Sequence, residues 1–458
     1  MGTSRQESRH IRRGSGQRSA ARAAIGPHCP CQGILPPYVL QQITLNGNER
    51  QRRSAGTTLL LDQSIRLARA VSAASGLAPP AVTARAAAGI EAEGPDRVIS
   101  DAQNTQELPG VLVRAEGDPE TDDPAADEAY DGLGATYDLF AEVFDRDSID
   151  GAGMSLLGTV HFDEDYANAF WDGVQMVFGD GDEELFNRFT VAVDVIGHEL
   201  MHGVTEQEAG LIYWAQSGAL NESLSDAFGS MVKQFVASEK AEDADWLIGE
   251  GLFTNQVQGE ALRSMAAPGE AYDDPVLGRD PQPWHMDDYV VTSADNGGVH
   301  INSGIPNHAF YLAATELQGF AWERAGRIWY EALLSPRMNP RMGFHAFARL
   351  TTGTAVRLYG ADSEEALAVR NAWSAVGIDL LGQRSRPGRG LGALAGGRIG
   401  GRRAVVSSSE SPWVSLRQLA TPTSSRGEGE KRDQGGDRPR ERQTAAGASA
   451  GKGRTSKS

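Results

Sequence analysis

The chain has 458 residues, of which 40% are apolar, so it is long enough for two domains with a buried core. Its net charge is −18 and is unevenly distributed: residues 1–80 carry about +8, residues 381–458 about +10, and the residues between them therefore about −36. A central region this acidic argues against nucleic-acid binding, and the lack of any run of eighteen apolar residues predicts no membrane span.

The first 80 residues consist of a basic stretch followed by a more apolar segment. Residues 1–25 are predicted to be disordered, and they contain arginines but no apolar core of an ordinary signal peptide. Secretion by another route and a cytoplasmic location therefore both stay open. Further on, Pro36 and Pro37 predict an extended conformation, and an amphipathic helix is predicted over residues 57–75.

The segment from His198 to His202, with the sequence HELMH, is the first chemically specific pattern in the chain. Two histidines four residues apart on a helix lie on one face, so both imidazoles can reach one metal ion, and Glu199 between them can act on a water molecule there. The flanking run is apolar, with Thr190 as the predicted N-cap and Gly203 as the predicted end of the helix. Taken alone, the pair could also be two core histidines with ordinary hydrogen-bond partners.

A second helix is predicted after residue 218 from an apolar face and an acidic face. The apolar positions are Leu220, Leu224, Phe228, Met231 and Phe235. Glu222 lies on the opposite face, and because a hydrolytic zinc centre takes three protein ligands and one open position, it is the predicted third ligand. Asp226 and Asn221 are predicted to orient the two imidazoles through their ring N–H groups. The alternative is a merely solvated acidic helix face.

The segment from Asp295 to Gly304 is a glycine-rich turn that contains His300. Oriented by the carboxylate of Asp295 five residues earlier, such a histidine can donate a hydrogen bond to an oxyanion or protonate a leaving amine. The alternative interpretation is an ordinary surface histidine in a glycine loop.

Together these three segments resemble the thermolysin-like family of zinc metalloproteases, over about residues 98 to 380. The resemblance implies that Asn168 and Ala169 belong to the edge strand that pairs with the substrate backbone. It further implies that Tyr213 helps to hold the tetrahedral oxyanion and that Arg263 donates a hydrogen bond to a substrate carbonyl. The positions implied for the apolar S1′ pocket are Phe186, Phe189, Val195 and Leu262.

The activity that the resemblance implies is hydrolysis of peptide bonds on the amino side of bulky apolar residues. One zinc ion would be held by His198, His202 and Glu222, and Glu199 would be the general base that activates water and then passes the proton to the leaving amine. His300 would stabilise the oxyanion. The substrates are then peptides and proteins; a catalytically silent peptide-binding relative is the alternative.

The better-known members of the family bind a pair of calcium ions, and this chain departs from them there. Carboxylates stand at three of the implied positions, Asp194, Asp245 and Glu250. Lys233 replaces one key glutamate, however, and Leu247 replaces another. Because an ammonium group repels calcium ions and can neutralise the remaining carboxylates, we expect this double site to be absent. Acidic loops elsewhere leave room for calcium at other places.

The segment around Pro36 and Pro37 resembles the short propeptide of protealysin-like proteases, which implies an intramolecular inhibitor lying across the cleft. The two cysteines of the chain, Cys29 and Cys31, are too close together for an ordinary disulfide. A Cys29 thiolate could cap the zinc in the precursor, or both thiols could simply be removed with the segment.

We expect an α+β, two-lobed thermolysin-like fold, with a β-rich N-terminal lobe, a mainly α-helical C-terminal lobe and the active-site cleft between them. The predicted organisation is a disordered basic N-terminus (1–25), a propeptide (26–80), a processing linker (81–97), the β-rich lobe (98–196), the helical lobe (197–380) and a disordered basic tail (381–458). Late helices are predicted over residues 305–317, 322–334 and 363–376. A monomeric, secreted zymogen is expected.

The tail beyond Leu381 is rich in Arg, Gly and Ser and has no apolar periodicity. It is either a basic arm for polyanions or the cell surface, or a passive extension. An interaction protein that works through this tail and the propeptide, with proteolysis incidental, is the second alternative to an active protease.

Overall fold

The computed structural model describes residues 33–75 and 94–380. The helices are α1 Pro37–Asn46, α2 Glu49–Ser75, α3 Pro124–Asp138, α4 Val193–Glu208, α5 Ala215–Ala237, α6 Asp295–Asn302, α7 Gly304–Leu317, α8 Ala325–Leu333, α9 Phe344–Tyr359 and α10 Glu364–Ala375. The longer strands are β1 Arg97–Thr105, β2 Val111–Ala115, β3 Leu156–Phe162, β4 Ala169–Trp171 and β5 Gln175–Phe178, and short two-residue strands follow α5. The basic N-terminus, both cysteines, most of the predicted linker and the basic tail lie outside the described residues.

The five longer strands form one mixed sheet in the order β2-β1-β3-β5-β4. The central strands β1, β3 and β5 are parallel, whereas β2 and β4 pair antiparallel at the two edges. Helix α3 packs on this sheet, and the helices from α4 onward build the second, mainly helical part. This is the predicted α+β arrangement. Among the described residues, no helix combines the length and apolar character that crossing a bilayer requires.

Helices α4 and α5 cross at very short distance, and glycines make this possible. A Cβ atom on Gly229 of α5 would lie 2.4 Å from the carbonyl oxygen of Asp194 in α4. One on Gly197 would lie 2.9 Å from a methyl group of Val232. Because the two backbones can approach this closely, side chains from both helices meet in one buried place.

The two predicted ends of the motif helix are wrong. Thr190 lies in a short 3-10 turn and its hydroxyl donates to Glu128 at 2.7 Å, while α4 starts at Val193. Gly203 lies inside α4, where a Cβ atom would come within 2.7 Å of Ile149. Gly203 is therefore a close-packing position and not a helix end, because tertiary contacts outweigh its low helix propensity.

Residues 33–75 form two helices that pack on the rest of the molecule. Ile34, Leu35 and the apolar face of α1 belong to the main hydrophobic core. Helix α2 contributes Ala55 to that core, and its Leu61 and Ile65 pack on a separate smaller cluster. Pro36 has the predicted extended backbone (φ −66°, ψ 145°), but Pro37 is the first residue of α1, a position where proline is favourable. The helix predicted over 57–75 is the second part of α2.

Candidate active site

His198 and His202 of α4 and Glu222 of α5 meet in the buried crossing of the two helices. One ligand atom from each lies within 4.8 Å of the other two. The Nε2 atoms of the histidines are 3.1 Å apart, and the Glu222 carboxylate oxygens lie 3.5 Å from Nε2 of His198 and 3.4 Å from Nε2 of His202. All three side chains are at most 1% exposed. The three residues predicted as metal ligands are thus brought together.

The other ring nitrogens show which atoms face the centre of this cluster. Nδ1 of His198 lies 2.8 Å from a carboxylate oxygen of Asp226, and Nδ1 of His202 lies 2.9 Å from the amide oxygen of Asn221. Because both partners are acceptors, each Nδ1 carries the proton and each Nε2 presents a lone pair. Two lone pairs and the Glu222 carboxylate, whose Oε2 has no hydrogen-bond partner among the described residues, then point at one another. These donors fit a divalent zinc ion, because its positive charge offsets the repulsion between the two Nε2 lone pairs and the carboxylate.

Asp226 connects the metal ligands to the rest of the site. Besides His198, it accepts two hydrogen bonds from Arg263, at 2.8 and 3.0 Å, and one from Asn307 at 2.8 Å. Burial by itself would raise the pKa of Asp226, but the charge of Arg263 and the contact with His198 hold it well below its ordinary value. Asp226 is therefore a carboxylate that fixes both the imidazole and the guanidinium group.

Glu199, between the two histidines in sequence, is fully buried beside the cluster. Its Oε2 accepts a hydrogen bond at 3.0 Å from the backbone N–H of Trp171 in β4, and its Oε1 has no partner among the described residues. Burial and the neighbouring Glu222 raise its pKa well above the ordinary value. A carboxyl group with raised proton affinity and one unpaired oxygen suits a general base.

Tyr213 and His300 lie on the other side of Glu222. The Tyr213 hydroxyl donates to Oε1 of Glu222 and lies 3.3 Å from Nε2 of His300. Asp295 holds His300 from behind, with its carboxylate 2.6 Å from Nδ1 and 2.9 Å from the backbone nitrogen. Burial lowers the pKa of His300, but Glu222 and Asp295 outweigh it and the net shift is upward.

The glycine-rich turn predicted over Asp295–Gly304 is confined to residues 296–298, and His300 lies in the helical residues after it. Asn296, Gly297 and Gly298 all have positive φ, at 49°, 85° and 76°, and helical residues follow. The left-handed run turns the chain so that Asp295 can reach both the ring and the backbone of His300.

The predicted substrate-binding residues contact the N-terminal segment. Ile34 donates its N–H to the carbonyl oxygen of Ala169 at 3.1 Å, so this segment lies along the free edge of β4. The Asn168 side chain accepts from the N–H of Leu35 at 2.9 Å and donates to its carbonyl oxygen at 3.4 Å. Arg263 donates to the carbonyl oxygen of Ile34 at 3.1 Å. Each of these contacts is one that an extended peptide substrate could make.

The residues expected to line the S1′ pocket are all in the main hydrophobic core. Phe186 and Phe189 are neighbours, with ring centroids 6.0 Å apart, and Val195 and Leu262 are at most 2% exposed. Their role in specificity stays a prediction.

The contacts of three residues in the site were not predicted from the sequence. The residues are Trp171, which donates to Glu199; Asn307, which donates to Asp226; and Asp62, which accepts from Asn168 at 3.0 Å. Trp171 acts through its backbone, which leaves no side-chain signal. Asn307 and Asp62 are each followed by another polar residue, His308 and Gln63, so neither stands out as an isolated polar position in an apolar run.

Converging histidine nitrogens with a carboxylate ligand and a buried carboxyl base are what a hydrolytic zinc centre requires. Residues 96–206 match the family model of the thermolysin metallopeptidase catalytic domain, and residues 209–378 match that of its alpha-helical domain. The chain therefore belongs to the thermolysin family of metallopeptidases, and it is a metalloendopeptidase.

Several relatives narrow the class further. The chain is 51% identical to an extracellular metalloprotease of Pectobacterium carotovorum subsp. carotovorum, over 77% of this chain and 97% of that protein. It is 47% identical to Protease PrtS of Photorhabdus sp. (strain Az29), over 76% and 92% of the two chains. The solved precursor of protealysin, a metalloproteinase from Serratia proteamaculans, is similar with a TM-score of 0.68 and 51% identity, over 76% of this chain and all of that one. The predicted protealysin-like subgroup is confirmed.

Proposed function

We propose that the protein is a zinc endopeptidase that is made as an inhibited precursor and cleaves peptides on the amino side of bulky apolar residues. The observation that carries this proposal is that Ile34 and Leu35 lie along the edge of β4, where Arg263 and Asn168 hold their backbone groups next to the His-His-Glu cluster. A substrate bound by the same groups would present its scissile carbonyl to that cluster.

The roles of the residues follow from their atoms. A zinc ion held by His198, His202 and Glu222 would supply Lewis acidity, which polarises a carbonyl group and makes water acidic near neutral pH. Glu199 takes a proton with its unpaired oxygen from the water molecule whose oxygen bonds to the peptide carbonyl carbon, and passes that proton to the amine nitrogen as the C–N bond breaks. Tyr213 and His300 donate hydrogen bonds to the carbonyl oxygen as it becomes negative.

Asp295 and Asp226 act through their neighbours. Asp295 keeps Nδ1 of His300 occupied, so that Nε2 faces the cluster. Asp226 holds His198 in the tautomer that binds metal, and it holds Arg263 so that the guanidinium points at a backbone carbonyl.

We assign residues 26–80 to a propeptide and residues 81–97 to the segment in which it is cut. The support is that residues 33–35 occupy the edge of β4 that a substrate needs, while α1 and α2 anchor this segment on the catalytic part. We also infer that the mature enzyme acts outside the cytoplasm, because the similar protease of Pectobacterium is named extracellular.

The first test removes the metal from the whole chain. We expect the zinc-loaded chain to lose its N-terminal segment on incubation, to stay whole in a chelator and to resume cleavage when zinc is restored. Intact mass spectrometry measures this and places the new N-terminus within residues 81–97. Cleavage that continues in the chelator would contradict the proposal. With the trimmed enzyme, peptides with Leu after the scissile bond should react faster than matched peptides with Asp there.

Gly33 tests whether the N-terminal segment blocks the cleft. A Cβ atom there would lie 2.3 Å from the carbonyl oxygen of Ala169, so Gly33→Ala should push the segment off β4. We expect about tenfold faster hydrolysis by the uncut precursor, measured as the initial rate before any mass change. Gly56→Ala on α2 is the control, since a Cβ atom there meets nothing within 4 Å. Equal rates for the two variants would refute the blocking role.

Lys233 takes the place of a cation among the calcium-site carboxylates. Its ammonium group lies 2.7 Å from Asp245 and 2.8 Å from Glu250. Burial raises the pKa of Asp194 to about 6, and the charge of Lys233 opposes this rise. We therefore propose that the double calcium site is absent and that the ammonium group neutralises these carboxylates.

Replacing Lys233 with Glu tests this assignment. In a calcium chelator the free energy of unfolding of the variant should be about 1–2 kcal/mol lower than that of the native chain, because the new glutamate would repel the carboxylates of Asp194, Asp245 and Glu250. The loss is small because the site is partly exposed to solvent. Millimolar calcium should then raise its melting temperature more than that of the native chain, measured by calorimetry. Lys240→Glu, at an exposed site, is the control. If calcium stabilises the native chain equally, the assignment is wrong.

A further inference from the structure

Asp62 is a buried carboxyl group at the boundary between α2 and the catalytic part. It follows three leucines in sequence and is 7% exposed. One oxygen accepts from the Tyr166 hydroxyl at 2.6 Å, and the other accepts from the Asn168 side chain at 3.0 Å. Both partners lie on the catalytic part and are at most 1% exposed. The carboxyl group thus holds the asparagine that also binds Leu35.

The surroundings of Asp62 are mostly apolar. Leu61 and Ile65 pack on the aromatic rings of Phe162, Tyr166 and Phe170, which form a cluster separate from the main core. Such a setting excludes water from the carboxyl group and disfavours its charge.

Few charged or titratable groups act on Asp62. Arg66, one turn further along α2, favours the charged form through space. From the catalytic part the carboxyl group faces Tyr166 and Asn168, and Glu199 lies beyond the tyrosine. None of these groups is a ligand of the zinc cluster.

Burial raises the pKa of Asp62 from 3.8 to about 6, although the hydrogen bonds from Tyr166 and Asn168 and the charge of Arg66 lower it. When α2 leaves the surface of the catalytic part, the pKa of Asp62 returns to its ordinary value. The docked state therefore binds the proton more tightly than the detached state. Docking is strongest where the group is protonated in both states, and it weakens as the pH rises from about 4 to above 6.

We propose that Asp62 is a proton-controlled latch that holds the N-terminal segment on the catalytic part in acidic medium and loosens it as the medium becomes neutral. Its release also frees the Asn168 amide, which can then bind a substrate backbone. The proposal rests on the proposed inhibitory role of residues 33–75 and adds a trigger for their release.

Hydrogen exchange of α2 tests the latch in the whole zinc-loaded chain with Glu199→Ala, which prevents self-cleavage. From pH 5 to pH 7 the fraction of open α2 should rise about tenfold with Asp62 present. With Asp62→Asn it should stay constant, because the neutral amide can accept from Asn168 and donate to Tyr166. Comparing the two chains at each pH cancels the pH dependence of the exchange chemistry.

Two more variants complete the experiment. Tyr166→Phe removes a hydrogen bond that lowers the pKa of Asp62, so the opening transition should move to higher pH. Glu49→Gln, at the exposed start of α2, should change nothing. Parallel pH profiles for the chains with and without Asp62→Asn would overturn the latch. So would an Asp62→Asn chain that is open at every pH, combined with an unmoved transition in Tyr166→Phe. Hydrogen exchange is measured without any peptide hydrolysis, so it tests the latch alone. The inhibitory role of the N-terminal segment is tested separately, by the hydrolysis rates of Gly33→Ala.

Discussion

Replacing Glu199 with Gln is expected to lower kcat/KM for peptide hydrolysis by at least about 10³-fold. The amide has the same shape as the carboxyl group and can still accept the hydrogen bond from the Trp171 N–H, but it cannot take a proton. The zinc ligands are untouched, so zinc content should stay the same. Rates on a peptide with Leu after the scissile bond, using enzyme trimmed by an added protease, measure the effect.

The same variant should not shed its own N-terminal segment. The intact mass of the full chain therefore stays constant with zinc, while the native chain is cut. Glu206→Gln is the matched control, because it removes a carboxyl group from the same helix outside the cluster. If Glu199→Gln keeps its zinc and retains more than a few per cent of activity, another group is the base.

Replacing Asp226 with Asn should weaken both zinc binding and the fold. The affinity for zinc should fall about 10- to 100-fold, because His198 loses the carboxylate that orients it. The free energy of unfolding should fall by about 3 kcal/mol, because Arg263, 1% exposed, would keep a buried charge without its counter-charge. Competition with a chelating dye and urea titration measure these two quantities. Asp287→Asn, at a side chain 90% exposed, is the control.

The loss of unfolding free energy caused by Asp226→Asn should become smaller in acid. The folded chain holds the pKa of Asp226 below its ordinary value, so the stabilisation is complete above about pH 4 and disappears as the pH falls further. The difference in unfolding free energy between native chain and variant should therefore shrink below pH 4. A difference that grows in acid would mean that Asp226 is not charged in the fold.

Local patterns in the sequence were sufficient to identify the chemistry. The spacing of His198 and His202 places them on one face of a helix wherever that helix packs, because the helical period is a local property. The spacing of Glu222 and Asp226 does the same on α5, and the late helices predicted over 305–317, 322–334 and 363–376 are confirmed within three residues at each end. The resemblance to the thermolysin-like family then supplied the roles that spacing cannot show.

Other features depended on contacts between distant parts of the chain. The predicted helix ends at Thr190 and Gly203 failed because both residues make tertiary contacts that a local rule ignores. The sequence predicted that Lys233 neutralises nearby carboxylates, but only the folded structure shows that its ammonium group contacts Asp245 and Glu250.

The sequence by itself determined which residues can bind zinc and act on water, since residue type and helical spacing are enough to define donor atoms and their common face. Only the tertiary structure decided that α4 and α5 approach closely enough, at Gly197 and Gly229, for the three donors to converge. It likewise decided that Asp62 is buried between α2 and the catalytic part. Proton affinity and hydrogen-bond partners depend on burial, and burial is created by residues far apart in the chain.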